Sequence, residues 1–180
     1  MSYCQTQRSY NWYAAYLRCQ TEKKVNDELL AKGVECYLPL RPSKHQWSDR
    51  IKTIEEPLLP GYIFVRVSMK EYYEVLLARG VLRYVKFENK PAVIPERQIQ
   101  SLKIFVEYDH CGIEITTERI AKGDFIRIVK GPLKGAMGEV VEVRGKQRIL
   151  LRFITLGCCV QVDLGYNEVE LLNAKIKIYC

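Results

Sequence analysis

Apolar runs with strand-like and then helical spacing open the chain. The stretch NWYAAYLR is a short apolar run typical of a β-strand. Helical spacing follows it, with Thr21 suited to the N-cap, Glu22 to the first turn and Gly33 to the end of the helix. The predicted apolar face of this helix consists of Val25, Leu29 and Leu30.

Three more strands and an exposed loop are predicted before residue 68. The strands are VECYLPLRP, IKTIEEPLL and PGYIFVRV, and the last of them starts from a turn at Pro60 and Gly61. Between the first two lies the polar run SKHQWSDR, which predicts an exposed loop.

The rest of the first half adds two helices and a strand. MKEYYEVLLARG has helical spacing and VLRYVKF suits a strand. Pro95 suits the first turn of a third helix. This alternation of strands and helices predicts an α+β sandwich, in which helices cover an antiparallel sheet. The residues of the third helix expected to face inward are Ile99, Leu102, Phe105 and Val106.

Short strands separated by turns dominate the second half. Their even spacing predicts a small five-stranded β-barrel, with strands near 125–129, 139–143, 148–153, 159–163 and 168–172. The predicted divisions of the chain are a flexible N-terminus at 1–11, a first domain at 12–108, a linker at 109–118, a second domain at 119–172 and a C-terminal tail at 173–180.

A glycine- and proline-rich segment separates the strands FIRIV and EVVEV. Glycine tolerates positive φ and proline presets φ for a turn, so this segment predicts a tight turn. Three glycines and a proline would cost a continuous helix about 6 kcal/mol, which favours strands here. The residues of the predicted turn are Gly131, Pro132, Gly135 and Gly138.

Composition narrows the class of protein. The net charge of +7 favours polyanionic partners such as nucleic acid. The seven cysteines form no CxxC pair, so we expect reduced thiols and neither a metal site nor a cofactor. No apolar run approaches the roughly 18–20 residues that cross a bilayer. The N-terminus has no apolar core of a secretion signal, so we expect a cytosolic protein without a membrane partner.

No motif for catalysis stands out. Cys111 follows His110, but adjacent residues rarely form a nucleophile–base pair, since such pairs meet through the fold. A Ser-His-Asp signature, a phosphate-binding loop and a paired-carboxylate motif are all missing from the sequence. No catalytic residue is therefore assigned, and an enzyme is not expected.

Three stretches carry a family resemblance. KGDFIRIVKGPLKGAMGEVVEV resembles a KOW motif, in which Gly-Pro-x-x-Gly-x-x-Gly joins two strands. WYAAYLRCQTEKKV and PLLPGYIFV are similar to the two signature stretches of the NusG N-terminal (NGN) domain. Their order and spacing resemble the NusG family over roughly Trp12 to Leu172. The resemblance implies an NGN α/β sandwich followed by a five-stranded KOW β-barrel.

The same resemblance implies a function in transcription. NusG-family proteins bind elongating RNA polymerase at the clamp helices of its largest subunit and suppress pausing or termination. EKKVNDELLAKGVECYLPL and EEPLLPGYIFV are closer to the specialised antiterminators of the RfaH and UpxY kind, and UpxY-like members regulate capsular polysaccharide operons. A general NusG-type elongation factor and a ribosome-associated KOW RNA-binding protein are the alternatives. Unlike RfaH, this chain keeps the Gly-Pro turn, which favours strands over a helical C-terminal state.

The candidate polymerase-binding residues lie in the two NGN-like stretches and in VLRYV. A helical hairpin docks onto an apolar, aromatic-lined surface, and aromatic side chains provide contact area at low entropic cost. The alternative is that these aromatics form the core. Along the strand, Tyr62 and Phe64 share one face, while Ile63 and Val65 share the other. The candidates are Trp12, Tyr16, Leu59, Pro60, Gly61, Tyr62, Tyr84 and Val85.

Two further surfaces are predicted. Cations beside an aromatic such as Trp47 suit non-template DNA or nascent RNA, through phosphate neutralisation and base stacking. The apolar residues Ile154 and Leu156 lie in the loop ITLG and are expected to meet a partner of the KOW domain, such as a ribosomal protein or a termination factor. The nucleic-acid candidates are Arg18, Lys23, Lys24, Lys44, His45 and Arg50.

Overall fold

A computed structural model of the chain describes residues 9–46, 50–107, 113–116, 123–143, 146–163 and 168–171. The chain separates into two compact units, Met1–Glu96 and Arg97–Cys180. In the described part of the chain, no helix is long and apolar enough to span a membrane.

The first unit is built on an antiparallel sheet with the strand order β2-β5-β1-β6, and β9 also pairs with β1. Two two-stranded ribbons, β3-β4 and β7-β8, accompany it. Its elements are β1 (Asn11–Leu17), α1 (Glu22–Ala31), β2 (Glu35–Tyr37), β3 (Leu40–Gln46), β4 (Ile51–Pro57), β5 (Tyr62–Val67), α2 (Tyr72–Leu76), β6 (Val81–Tyr84), β7 (Lys86–Phe87), β8 (Lys90–Pro91) and β9 (Val93–Ile94).

One face of this sheet packs against α1 and α2. The odd-numbered residues of β1 and β5 point to this face, because side chains alternate along a strand. They form a buried cluster with Val25 and Leu29 of α1 and with Tyr72 and Val75 of α2. The predicted separation of Ile63 and Val65 from Tyr62 and Phe64 is therefore confirmed: the first pair lies under the helices. The β1 and β5 residues of the cluster are Tyr13, Ala15, Leu17, Ile63, Val65 and Val67.

The ends of helix α1 lie where they are predicted, but one residue of its predicted apolar face is exposed. Gly33 ends the helix with φ +76°. Thr21 is the N-cap residue, but its hydroxyl donates to the carbonyl oxygen of Arg18 at 2.6 Å and caps no helical N–H. Leu30 was predicted on the apolar face and is 53% exposed, so that assignment is wrong. Val25 and Leu29 are the buried apolar residues of the helix.

The polar run predicted as an exposed loop begins as a β-strand. Strand β3 continues through Lys44 and His45 to Gln46, and it pairs along its length with β4. The predicted strand VECYLPLRP is divided between β2 and β3, which belong to different sheets. Trp47 lies outside the described residues. Pairing with IKTIEEP, which local composition does not reveal, turns the polar segment into a strand.

The second unit contains all five predicted strands and one more. The sheet is antiparallel in the order β10-β14-β13-β12-β11-β15. The additional strand, β10, lies in the segment predicted as a linker, where Ile113 is buried. The elements are α3 (Glu96–Glu107), which begins at the last residue of the first unit, β10 (Glu114–Thr116), β11 (Asp124–Lys130), β12 (Met137–Val143), β13 (Lys146–Phe153), a 3-10 turn (Ile154–Leu156), β14 (Cys158–Asp163) and β15 (Glu168–Leu171).

The predicted tight turn joins β11 to β12. Gly131 and Gly135 adopt φ +106° and +92°, which a residue with a Cβ rarely adopts. A Cβ on Gly138 would lie 2.7 Å from the backbone oxygen of Leu150 on the neighbouring strand. The prediction of strands on both sides of the turn is confirmed.

Helix α3 packs on strands of the second unit. The side-chain amide of Gln98 donates to the carbonyl oxygen of Arg152 at 2.8 Å, and the Ser101 hydroxyl accepts from the backbone N–H of Met137 at 2.9 Å. Of the four residues predicted to face inward, Ile99, Leu102 and Phe105 are buried and Val106 is half-buried. The boundary between the compact units thus falls at the start of α3, whereas the sequence-based boundary at 108 falls after it.

Candidate functional site

Three side chains form a row across neighbouring strands of the first unit. Tyr16 of β1 is paired with Tyr62 of β5 on one side and with Arg83 of β6 on the other. The rings of Tyr16 and Tyr62 meet edge to face, with centroids 5.4 Å apart. The Arg83 guanidinium carbon lies 5.7 Å from the centroid of the Tyr16 ring, which is the geometry of a cation–π contact.

The turn before β5 completes this surface. Tyr62 N–H donates to the Leu59 carbonyl oxygen at 3.2 Å, and Leu17 N–H donates to the Gly61 carbonyl oxygen at 2.7 Å. Gly61 has φ +78°, and a Cβ there would touch the Tyr16 ring at 3.4 Å. Pro60 is exposed at the tip, while Tyr16 and Tyr62 are half-buried and Arg83 is exposed. We call this the Tyr16 surface, formed by Tyr16, Pro60, Tyr62 and Arg83.

Three of the predicted polymerase-binding residues are core residues. Trp12, Leu59 and Tyr84 are all buried, so their side chains are not available for direct contact. Trp12 Nε1 donates to Glu96 Oε2 at 2.7 Å. Aromatic composition alone gave no way to separate these side chains from the accessible ones.

The environment of Tyr84 shows why it is a core residue. Its ring stacks on Tyr72 with centroids 4.0 Å apart and meets Tyr13 edge to face at 5.9 Å. Its hydroxyl donates to the Tyr72 carbonyl oxygen at 3.0 Å. Burial raises the pKa of the Tyr84 phenol.

The remaining candidates contribute backbone. Gly61 is buried, and its backbone forms the turn. Val85 is half-buried and its N–H donates to the Ala14 carbonyl oxygen at 2.8 Å, which ties the end of β6 to β1. Arg83 was missed by the sequence analysis, because the cross-strand register that places it beside Tyr16 is not visible in VLRYV.

The nucleic-acid candidates fall on two elements and their flanks. Lys44 and His45 lie on β3 and are exposed, as is Arg50, which immediately precedes β4. Lys52, which the prediction left out, is also exposed and is the register partner of His45. Arg18, Lys23 and Lys24 are exposed before and within α1.

The acids of ribbon β3-β4 lie toward one end, where Glu56 is the register partner of Arg41. His45 Nε2 and Glu56 Oε1 are 2.7 Å apart, and the Ser43 hydroxyl lies 3.3 Å from the same nitrogen. The hydrogen bond from His45 lowers the pKa of the Glu56 carboxyl, and a hydrogen bond from Ser43 lowers it to a smaller extent. Lys44, Arg50 and Lys52 are the cations nearer the other end of the ribbon, and the register places Lys44 and Lys52 on opposite faces.

In the second unit, the predicted partner residues occupy the 3-10 turn after β13. Ile154 is 59% exposed, which is high for a large apolar side chain, and Leu156 is half-buried. Gly157 follows with φ +67° and ends the turn. Leu133, at the centre of the Gly-Pro turn, is buried, while Pro132 is exposed.

No metal chemistry is indicated in the described part of the chain, where no group of three or more His, Cys, Asp or Glu side chains could hold an ion. Cys19, Cys36, Cys158 and Cys159 are free thiols. Burial raises the pKa of both Cys36 and Cys158 to about 11, so these thiols are protonated at neutral pH.

Comparison with known proteins shows the class of transcription factor to which this chain belongs. The family model described as "Transcription termination factor nusG" matches residues 10–103, which contain the whole sheet of the first unit. The chain belongs to the NusG family. Members of this family are transcription factors and not enzymes.

Relatives align along most of the chain. The "Transcription termination/antitermination protein NusG" of Lactococcus lactis is 25% identical over 178 residues, covering 91% of this chain and 94% of that protein. The protein of the same name from Streptococcus pyogenes is 23% identical over 175 residues, covering 89% and 96%. A solved structure described as "Domain interaction in Thermotoga maritima NusG" aligns with 91% of this chain and 98% of that chain, at 23% identity and a TM-score of 0.49.

Proposed function

We propose that this chain binds elongating RNA polymerase through the Tyr16 surface and suppresses pausing or termination. The target on the polymerase is the pair of clamp helices of the largest subunit, as the family resemblance implies. The polymerase-binding part is the first unit, which the sequence predicts as a domain at 12–108, and its accessible residues are assigned the family's mode of action.

The observation that carries the proposal is the row Tyr62–Tyr16–Arg83 beside the exposed Pro60. Two aromatic rings and a guanidinium provide a rigid apolar surface with one charge, a composition enriched at interface hot spots. A helix pair laid on it would contact the rings, while Arg83 would reach an acidic or aromatic side chain of the partner. Because backbone hydrogen bonds hold the turn at Gly61, little entropy is lost on binding.

Arg83→Ala and Tyr62→Ala test this proposal with purified core polymerase. Each change should weaken binding by about 2 kcal/mol, or roughly 30-fold, as expected for hot-spot residues. Arg83 is exposed, so its removal should leave the melting temperature unchanged. The matched control is Arg79→Ala, which removes an exposed arginine elsewhere on the same unit. If both variants bind like the natural chain, the Tyr16 surface is not the polymerase contact.

The ribbon β3-β4 is proposed to contact non-template DNA or nascent RNA beside the polymerase. Lys44 and Lys52 are exposed cations on one ribbon, Arg50 is an exposed cation beside it, and phosphate neutralisation by such groups supplies binding energy without sequence preference. Arg18, Lys23 and Lys24 are proposed as a second group of backbone contacts.

The second unit is proposed to be a KOW β-barrel that recruits another factor. The glycine-shaped turn between β11 and β12 supports this proposal, as does the exposed Ile154 for the partner surface. A large exposed apolar side chain is typical of an interaction site when it belongs to a patch. Ile154 and Leu156 would meet a ribosomal protein or a termination factor.

We further propose that the chain is a specialised antiterminator of the RfaH/UpxY kind, acting at polysaccharide-type operons. The stretches around α1 and the Pro60 turn support this assignment. The names of the curated relatives fit a general NusG-type factor equally well. Genome-wide crosslinking separates the two functions: occupancy of a few operons supports the specialised factor, and occupancy of nearly all transcribed genes supports the general one.

A further inference from the structure

Glu22 is a buried acid at the first residue of α1. Only 6% of its surface is exposed, although glutamate is rarely buried without a partner. Its Oε1 accepts a hydrogen bond from the backbone N–H of Gly61 at 2.9 Å, across 39 residues of chain. A buried carboxylate is tolerated only where hydrogen bonds compensate for lost solvation, so this contact accounts for the burial.

The contact holds the turn of the Tyr16 surface from one side while β1 holds it from the other. Gly61 N–H points to Glu22, and the Gly61 carbonyl oxygen accepts from Leu17 N–H at 2.7 Å. The N–H and the carbonyl group of Gly61 are therefore fixed by two different elements, α1 and β1. Pro60 and Tyr62 flank Gly61, so their placement depends on the same two bonds.

We propose that Glu22 is a positioning residue: its carboxylate fixes the Gly61 peptide and so presents Pro60 and Tyr62 to the partner. This inference rests on the proposed function of the Tyr16 surface. Glu22 itself does not contact the partner, because its side chain is buried behind the turn. The sequence indicated only a favourable acid in the first turn of a helix, where the macrodipole stabilises a negative charge.

Two substitutions separate positioning from a helix-dipole effect. Glu22→Gln removes the charge but keeps a side-chain oxygen of the same reach, which can still accept from Gly61. Glu22→Asp keeps the charge at the helix start but shortens the side chain by one methylene, so the acceptor no longer reaches. A positioning role predicts that Glu22→Gln retains polymerase affinity and that Glu22→Asp loses it. A helix-dipole effect predicts the reverse.

Polymerase affinity and the Gly61 amide are the two measurements, made on the full chain. Glu22→Asp should weaken polymerase binding by about 10-fold or more, the equivalent of one lost hydrogen bond to a charged group, while Glu22→Gln should stay within about 3-fold. The Gly61 amide proton should lose its downfield shift and its exchange protection in the Asp variant and retain protection in the Gln variant. Thermal melting of each variant confirms that it is folded at the assay temperature.

The variants of the Tyr16 surface keep the two proposals distinguishable. If Tyr62→Ala loses affinity while Glu22→Asp keeps it, the surface stands and the positioning role is overturned. If Tyr62→Ala and Arg83→Ala both keep affinity, the proposed function itself fails, and the Gly61 amide still reports whether Glu22 fixes the turn. Loss of amide protection in the Gln variant equal to that in the Asp variant would also overturn the positioning role.

Discussion

Tyr84 stacks on Tyr72 with ring centroids 4.0 Å apart, and its hydroxyl donates to the backbone carbonyl oxygen of the same residue at 3.0 Å. The two residues come from different elements, since Tyr72 begins α2 and Tyr84 ends β6. A short helix of five residues has few hydrogen bonds of its own, so this double contact fixes α2 on the sheet.

Removal of the Tyr84 ring should therefore make the first unit less stable to unfolding. We expect Tyr84→Ala to lower the free energy of unfolding by about 3–5 kcal/mol, the usual cost of deleting a buried aromatic side chain. Tyr84→Phe should cost about 1 kcal/mol, because it removes only the hydrogen bond. Urea denaturation followed by fluorescence measures both. If Tyr84→Ala left stability unchanged and weakened only polymerase binding, Tyr84 would be a contact residue after all.

The ribbon should contribute to the salt dependence of binding. Lys44→Ala combined with Arg50→Ala removes two exposed cations, and each phosphate contact releases about 0.7–0.9 of a counterion. The slope of log affinity against log salt for a transcription bubble should therefore become shallower by up to about 1.4–1.8. Lys70→Ala, which removes an exposed lysine away from the ribbon, is the control and should leave the slope unchanged. An unaltered slope in the double variant would exclude the ribbon as a phosphate contact.

Strands with strong local signals could be predicted from the sequence, whereas pairing partners could not. The turn at Gly131 and Gly135 and the five strands around it were visible because β-branched residues and turn residues alternate there. The ribbon was missed at Lys44 and His45 because β3 is polar on both faces from Ser43 to Gln46, so the sequence shows no alternation of apolar and polar residues there.

The candidate site was predictable as a region but not residue by residue. Tyr16 and Tyr84 lie in similar aromatic stretches, yet Tyr16 is half-buried in the surface row and Tyr84 is in the core. Their positions follow from strand register, which places Tyr16 opposite Tyr62 and Arg83 and gives Tyr84 the opposite face of the sheet. Glu22 was visible as a residue favouring a helix start, but its bond to Gly61 depends on tertiary structure.

The carboxyl of Glu56 should titrate below its ordinary range because His45 donates to it. A lowered pKa in the folded chain means that this contact stabilises the fold above the unfolded pKa and is lost as the pH falls through the lowered value. We expect His45→Ala to return the pKa of Glu56 toward its ordinary value, and Ser43→Ala to do so less. Carbon chemical shifts of the Glu56 side chain, followed over an acid titration, measure both. A titration curve unaffected by His45→Ala would contradict the hydrogen bond.

The segment from β11 to β15 should keep its strands when it is separated from the first unit. Its structure depends on contacts within the second unit, including the bidentate pair in which Arg152 donates to Glu139 at 2.9 and 3.2 Å. The turn between β11 and β12 also excludes a continuous helix, since Gly131 and Gly135 hold positive φ and Gly138 has no room for a Cβ beside Leu150. We expect backbone chemical shifts typical of strands in both the intact chain and the isolated segment 97–180, which retains α3. Helical shifts across β11 and β12 in either form would contradict this prediction.

Gly135→Ala should lower the free energy of unfolding of that segment by about 1–2 kcal/mol, the cost of a left-handed conformation for a residue with a Cβ. Lys134→Ala changes the neighbouring exposed position and serves as the control.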